Sequence, residues 1–439
     1  MSALKIVLPV ILAGAVSLSW FQLVSSVVSE QNSYRQCIQK AKESEQNGLY
    51  EQAIEYYKKS LNYKEDTKVY AEISRICSEF YAEEDTSHVR KVYIDNMLEA
   101  AEAVPEEPSY WITAIKLYMD RKDYSSAYST VKKARNRSEA NEEIESLYQE
   151  LRYMTLTDSS RFSDFKTALN GYISIYDGEN WKVTNSVGKV LSSGKYQMIG
   201  LLDESGTGIY IGDMGMRMLD KHEIVRARFD FTVDDAGIYS AETDCLPVLR
   251  NGNWQYVGLD GSYLSGRYDE AGRFANGRAA VKEDGVWYLI NQNEEKISSD
   301  YEDIKLDLSG SYLQNGVFIA KTDGKYRIYN ASGQQAGSLV CEDIDICLKD
   351  KLIAYEDGGL WGFADTEGNT VIEPQYQKAK SFSNGLAAVC DGKEWGFIDP
   401  ENNLVVDYQF LDAFYFNAKH YCIVSCEENS YQFMHLMFD

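Results

Sequence analysis

A chain of 439 residues is longer than one ordinary hydrophobic core, so two or three domains are expected. With 44% apolar residues and only six prolines, the composition excludes a disordered chain. Against 44 basic residues stand 68 acidic ones, a formal charge of −24 that repels phosphate backbones and excludes nucleic acid as the natural partner. The charge otherwise reads as solubility. The 33 tyrosines favour strands and contact surfaces over Ala/Leu-rich helices.

The first element is an apolar run from Ile6 to Ser29, 24 residues without a charge, bounded by Lys5 and Glu30. As a helix rising ~1.5 Å per residue it spans about 36 Å, enough for a hydrocarbon core of roughly 30 Å. Ala13-Gly14-Ala15 has the look of a signal-peptide cleavage site, but the run continues beyond it through Trp20, Phe21, Leu23 and Val27. The sequence therefore predicts an uncleaved anchor over residues 1–30. Lys5 places the N-terminus on the cytoplasmic side and the bulk of the chain across the membrane.

Residues 31–160 carry apolar side chains at helical spacing. "NGLYEQAIEYYKKSL" sets Gly48 and Tyr50 before Ala53, Tyr57 and Ser60. "YWITAIKLYMDRKDYSSAYSTVKKA" sets Trp111, Ala114 and Tyr118 before Tyr124, Ala127, Val131 and Ala134. These stretches resemble the tetratricopeptide repeat, a helix-turn-helix unit of about 34 residues. The resemblance covers roughly 34–140, with a degenerate middle copy around Tyr70, Ile73 and Cys77 and a capping helix in "NEEIESLYQELRYM". It implies that small residues, Ala53 and Ala127, sit where paired helices cross. Lys122 stands where the turn glycine is usual, and Cys37 where the first copy should carry tryptophan.

After about residue 168 the period changes to two. Asp177-Gly178, Asn251-Gly252, Asp284-Gly285, Asp323-Gly324, Asp357-Gly358 and Asp391-Gly392 each join an apolar strand to one opening on an aromatic residue, the mark of a tight hairpin. Those aromatics are Trp181, Trp254, Trp287, Tyr326, Trp361, Trp395 and Tyr431. From Trp254 onward they lie 33, 39, 35, 34 and 36 residues apart, and the 73-residue gap before Trp254 holds a worn copy at Met216. "WGFADTEGNTVIEPQY…FSNGLAAVCDG" and "EWGFIDPENNLVVDYQF", with "FANGRAAVKEDGVWYLI" as a third, resemble the bacterial WG repeat family over 171–438. Four strand signals per unit predict a β-propeller-like domain over 168–439. Seven intervals between aromatics predict seven four-stranded units, with an open β-repeat stack as the alternative. "GYISIY" is expected to pair with the region of "YQFMHLMF" and close the ring.

Three chemical motifs dissolve on inspection. "GKVLSSGKY" at Gly188–Tyr196 has phosphate-loop spacing, yet Tyr196 replaces the Ser or Thr that meets magnesium and no helix follows. "GTGIYIG" at Gly206–Gly212 lacks the βαβ setting of a dinucleotide fingerprint. His420, Cys422 and Cys426 share a strand face without a fourth zinc ligand. The eight cysteines show no CxxC pair and read as buried thiols, with Cys341 and Cys347 close enough in sequence to pair under oxidation. The residues thus name no catalytic, cofactor-binding or metal-binding position, no binding residue and no cofactor. They predict a membrane-anchored, non-enzymatic interaction or scaffold protein with a protein partner. A cell-wall or glycan-binding module is the alternative, and a propeller-type hydrolase a further one.

Overall fold

The computed structural model describes residues 4–137 and 140–438, and for residues 4–24 it gives the backbone course only. The chain divides into a helical unit ending at Arg152 and a β unit from Tyr153 to Met437. Among the described residues no helix is long and apolar enough to cross a membrane. The side chains of the expected anchor lie outside the described residues up to Val24.

The helical unit comprises α1 (Leu4–Gln46), α2 (Tyr50–Leu61), α3 (Thr67–Glu83), α4 (Ser87–Ala103), α5 (Ser109–Asp120), α6 (Tyr124–Arg137) and α7 (Glu142–Arg152). Each helix packs on the next. Starts are set locally: Asp66 Oδ1 accepts from Lys68 N, Thr86 Oγ1 from Val89 N, and Asn141 Oδ1 from Glu143 N and Ile144 N. The small positions read from the sequence, Ala53 and Ala127, are fully buried, as are Ala114, Ala134, Tyr57, Trp111 and Val131. Lys122 takes the left-handed conformation of the turn at φ 60°, where its counterpart Gly48 has φ 69°. A side chain at such a position costs what glycine avoids.

The β unit is a series of eight four-stranded modules, one more than the seven expected. The seven intervals separate eight module starts. The module without an aromatic start is a full one, built from Tyr196–Ile199, Gly208–Gly212, Gly215–Leu219 and Val225–Arg228. In the third, fourth and fifth modules the outer strand is reduced to isolated bridges, as in Trp254 with Tyr268 or Trp287 with Tyr301. Two residues later the chain begins the next module's first strand, at Glu270–Ala271 or Asp303–Lys305.

The eighth module is completed from the start of the unit. Ser430–Leu436 pairs with Thr155–Thr157, and Phe162 bridges to Tyr431. This corrects two expectations. "GYISIY" pairs instead with its own neighbours, Asp164–Thr167 and Trp181–Asn185. The helical region stops at Arg152 rather than near 160, and the strands Thr155–Thr157 and Asp164–Thr167 belong to the β unit. Closure shows in the packing as well. Apolar clusters join every module to the next, and a last one brings Phe162, Ile173 and Ile175 of the first against Ile423 and Phe433 of the eighth. The open stack is therefore not the arrangement adopted.

The hairpin signals divide by geometry. Asn251-Gly252, Asp284-Gly285 and Asp323-Gly324 have positive φ at both residues, as a type I′ turn needs. Asp177 and Asp391 do not; their Oδ1 atoms accept from backbone N–H groups two and three residues on, forming a looser loop. In the sixth module the left-handed pair is Gly358-Gly359, one residue later than the Asp357-Gly358 signal.

Candidate binding site at the axis of the β unit

The short first strands lie nearest the axis, because only there do side chains span an intervening module. Lys166 Nζ of the first module reaches Asp235 of the third at 2.6 Å, and Tyr415 of the eighth donates to both oxygens of Asp345 of the sixth at 2.8 Å. The Tyr415 hydroxyl is held far above its ordinary pKa, first by burial and then by the Asp345 charge. Lys305–Asp343 at 3.0 Å and Lys380–Asp412 at 3.6 Å join adjacent first strands. Lys380 also lies over the rings of Phe414 and Trp395, at 5.0 and 5.5 Å. Paired charge and aromatic packing thus link the first strands of several modules to one another.

Loops following the first strands of the first six modules converge on a cavity of about 480 Å³. Asp203-Glu204-Ser205-Gly206-Thr207 and Asp307-Leu308-Ser309-Gly310-Ser311 are the same loop used twice. Asp203 Oδ1 accepts from Ser205 N, Ser205 Oγ and Thr207 N at 2.7–2.9 Å. Asp307 Oδ1 accepts from Ser309 N, Ser309 Oγ and Ser311 N at 2.6–2.9 Å. Gly206 and Gly310, at φ 77° and 80°, let both loops reverse. Each aspartate thereby presents a fixed Oδ2 with no partner among the described residues. The same cavity is lined by Arg273, whose backbone N–H is fixed to Gly310 O at 2.8 Å. Its Nε is shielded from solvent and has no hydrogen-bond partner, and the side chain forms no ion pair among the described residues. A second pocket of about 210 Å³, walled by Leu201, Pro247, Trp254 and Leu306, shares Arg273 and Asp307. The arrangement offers a half-buried guanidinium with a shielded Nε, several acceptor oxygens and an apolar annex.

None of these residues was singled out from the sequence. A faint signal exists: Arg273 in "AGRFANG" takes the slot of Ser381 in "AKSFSNG". Ser381 spends its hydroxyl on Ala354 N at 3.0 Å, whereas Arg273 spends its side chain on nothing.

The rejected motifs fall elsewhere. The backbone N–H groups of Ser193 and Gly194, inside the phosphate-loop lookalike, hold the chain's own carboxylate, Glu223, which also accepts from Tyr196 Oη at 2.7 Å. Gly208–Gly212 is a strand. Cys422 is buried, with its Sγ on Phe414 O, while Cys426 is exposed and accepts from Gln432. Among the described residues no three His, Cys, Asp or Glu side chains are grouped to hold a metal. All eight cysteines are free thiols, Cys341 and Cys347 included, and burial pushes both of those up to about 12. Trp395 is buried and Trp361 is half-buried in the adjoining apolar clusters, so both pack between modules.

Three segments, 264–287, 361–394 and 395–428, match the family described as WG containing repeat. No curated protein matches the chain. Among solved structures it is similar to Hsv2 of Kluyveromyces lactis, at 11% identity over 61% of this chain and 93% of that one, with a TM-score of 0.34. It is similar also to the β-propeller domain of Cps50 (Swd1) of Myceliophteria thermophila, at 9% identity over 64% and 98%, with a TM-score of 0.33.

Proposed function

We propose that this chain, a helical region followed by WG-type β-repeats, is a non-enzymatic interaction or scaffold protein that receives a protein partner at the axial cavity of its β unit. One observation carries the reading. Loops from six modules bring Arg273, whose shielded Nε has no partner among the described residues, into one cavity with the fixed carboxylates of Asp203 and Asp307, a pattern that orients a ligand carrying both an acceptor and several donors. A polypeptide supplies both. The helical unit contributes a second surface of tetratricopeptide type, supported by the buried small residues at its helix crossings.

The apolar run Ile6–Ser29 supports a single-pass anchor with the bulk of the chain extracytoplasmic. Carbonate extraction of membranes, followed by N-terminal sequencing of the mature chain, tests it; a soluble chain beginning near Val16 refutes it.

A photo-crosslinking residue at Tyr239, on the rim of the cavity, is expected to capture the partner. The same residue at Val371, exposed on the sixth module's edge, is expected to capture nothing. Equal capture at both positions overturns the axial assignment. The second reading, a glycan or cell-wall ligand, is favoured by the acceptor oxygens of the rim, which suit sugar hydroxyls. Binding of a glycan without turnover would establish that reading, and turnover would establish the hydrolase.

A further inference from the structure

The second module departs from its siblings at one place, the hairpin between Gly208–Gly212 and Gly215–Leu219. Gly212 pairs with Gly215 there. The same register position carries Arg250 and Asn253, Glu283 and Val286, Thr322 and Lys325, or Asp357 and Leu360 in the four modules that follow. Met216 also stands where those modules have Trp254, Trp287, Tyr326 and Trp361. Beside this hairpin lies a cleft of about 330 Å³; Gly212 serves close approach there, since a Cβ on it would meet Lys195 O at 2.9 Å, whereas a Cβ on Gly215 would meet open space.

The cleft is built of specific groups. Its floor is Tyr210, whose ring meets Tyr196 edge-on at 4.9 Å and which is 1% exposed, with a hydroxyl that has no hydrogen-bond partner. A buried donor left unmatched is unfavourable, so the site calls for an acceptor. Leu219 and Met214 supply apolar wall and rim, the latter 74% exposed. Arg217 and Lys195 line the cleft and make no ion pair or side-chain hydrogen bond among the described residues. Of the two carboxylates present, Glu223 is saturated by Ser193, Gly194 and Tyr196, which leaves Asp213 at the hairpin tip. Donors without partners therefore cluster over an aromatic floor.

We infer that this cleft binds an organic acid, a carboxylate on an aromatic or aliphatic body, with the carboxylate on Arg217 and Tyr210 Oη and the body against Tyr196 and Leu219. The worn copy then carries a site of its own. It is independent of the axial cavity.

The test is calorimetric titration of the full chain with phenylacetate, with phenylacetamide, and with Gly-Gly-Gly-Phe carrying a free C-terminus. Phenylacetate is expected to bind one to one and the amide at least about tenfold more weakly, because a charge-assisted pair is replaced by a neutral one. Arg217→Gln and Tyr210→Phe are each expected to weaken phenylacetate about tenfold. Tyr210→Phe keeps the ring volume and melts no lower than the parent, so it decides the matter if Arg217→Gln fails to fold. Tighter binding of the peptide than of phenylacetate assigns the carboxylate to a polypeptide C-terminus; equal or weaker binding assigns it to a small acid. Absence of phenylacetate binding, equal binding of acid and amide, or parent-like affinity in Tyr210→Phe overturns the inference.

Discussion

The helical and β units solve the same problem, stacking near-identical modules, in opposite ways. In residues 1–152, 24 acidic residues face 19 basic ones, and the principal contacts run from each helix to the next. In residues 153–439, 44 acidic residues face 25 basic ones, and the series bends until its last module packs on its first. A linear stack gains each interface locally, so damage stays near the damaged interface. A closed series holds its ends by contacts distant in sequence, so losing one of them releases a constraint on every module. Closure also creates an axis, and the axis is where loops from six modules can meet.

The largest effect should come from breaking that closure. Phe433→Ala empties a fully packed position in the cluster between the eighth and first modules and should cost on the order of 3–5 kcal/mol. Hydrogen exchange should accelerate throughout the β unit, whereas Trp111→Ala, of similar cost, should accelerate exchange only in α4–α6. Acceleration confined to Tyr421–Leu436 in the first variant would show that the modules melt independently.

A smaller difference separates two tryptophans that look alike in sequence. Trp395 is 8% exposed and Trp361 is only half-buried, so Trp395→Ala should cost about 3 kcal/mol and Trp361→Ala about half as much. Denaturant titration of the two variants sharpens the view that module position, rather than the Trp-Gly motif itself, sets the packing. Equal losses would contradict it.

In the helical unit the expected effect has the opposite sign. Lys122 is held at φ 60°, so Lys122→Gly should raise stability by about 0.5–1 kcal/mol, read as a higher melting temperature of the helical transition. Destabilisation would mean that the Lys122 side chain does packing work its turn position hides.

The last prediction leaves stability untouched. Burial pushes the thiols of Cys77, Cys341, Cys347 and Cys422 up to about 12, so at pH 8 they stay protonated as well as covered. Only Cys426 is exposed, and mass spectrometry after brief maleimide treatment should find one label, on Cys426. Labels on Cys422 would reveal that the closing strand Tyr421–Glu427 opens.

Much of this was legible in the residues because it is local. Period-3.6 and period-2 patterning separates the helices from the strands, and Asn251-Gly252 or Asp284-Gly285 turns a hairpin with no help from elsewhere. Module number was legible once the seven intervals are seen to separate eight starts, Met216 included. Closure was not, because it depends on pairing between chain ends: Thr155–Thr157 is an unremarked three-residue strand until Ser430–Leu436 lies beside it. The sites are further from the residues still. Arg273 and Tyr210 are ordinary in sequence; only the packing that shields Arg273 Nε and the Tyr210 hydroxyl, and leaves both without a partner, makes them sites. A sequence records which groups a chain carries, whereas desolvation and unmet hydrogen bonds are properties of what the fold places around them.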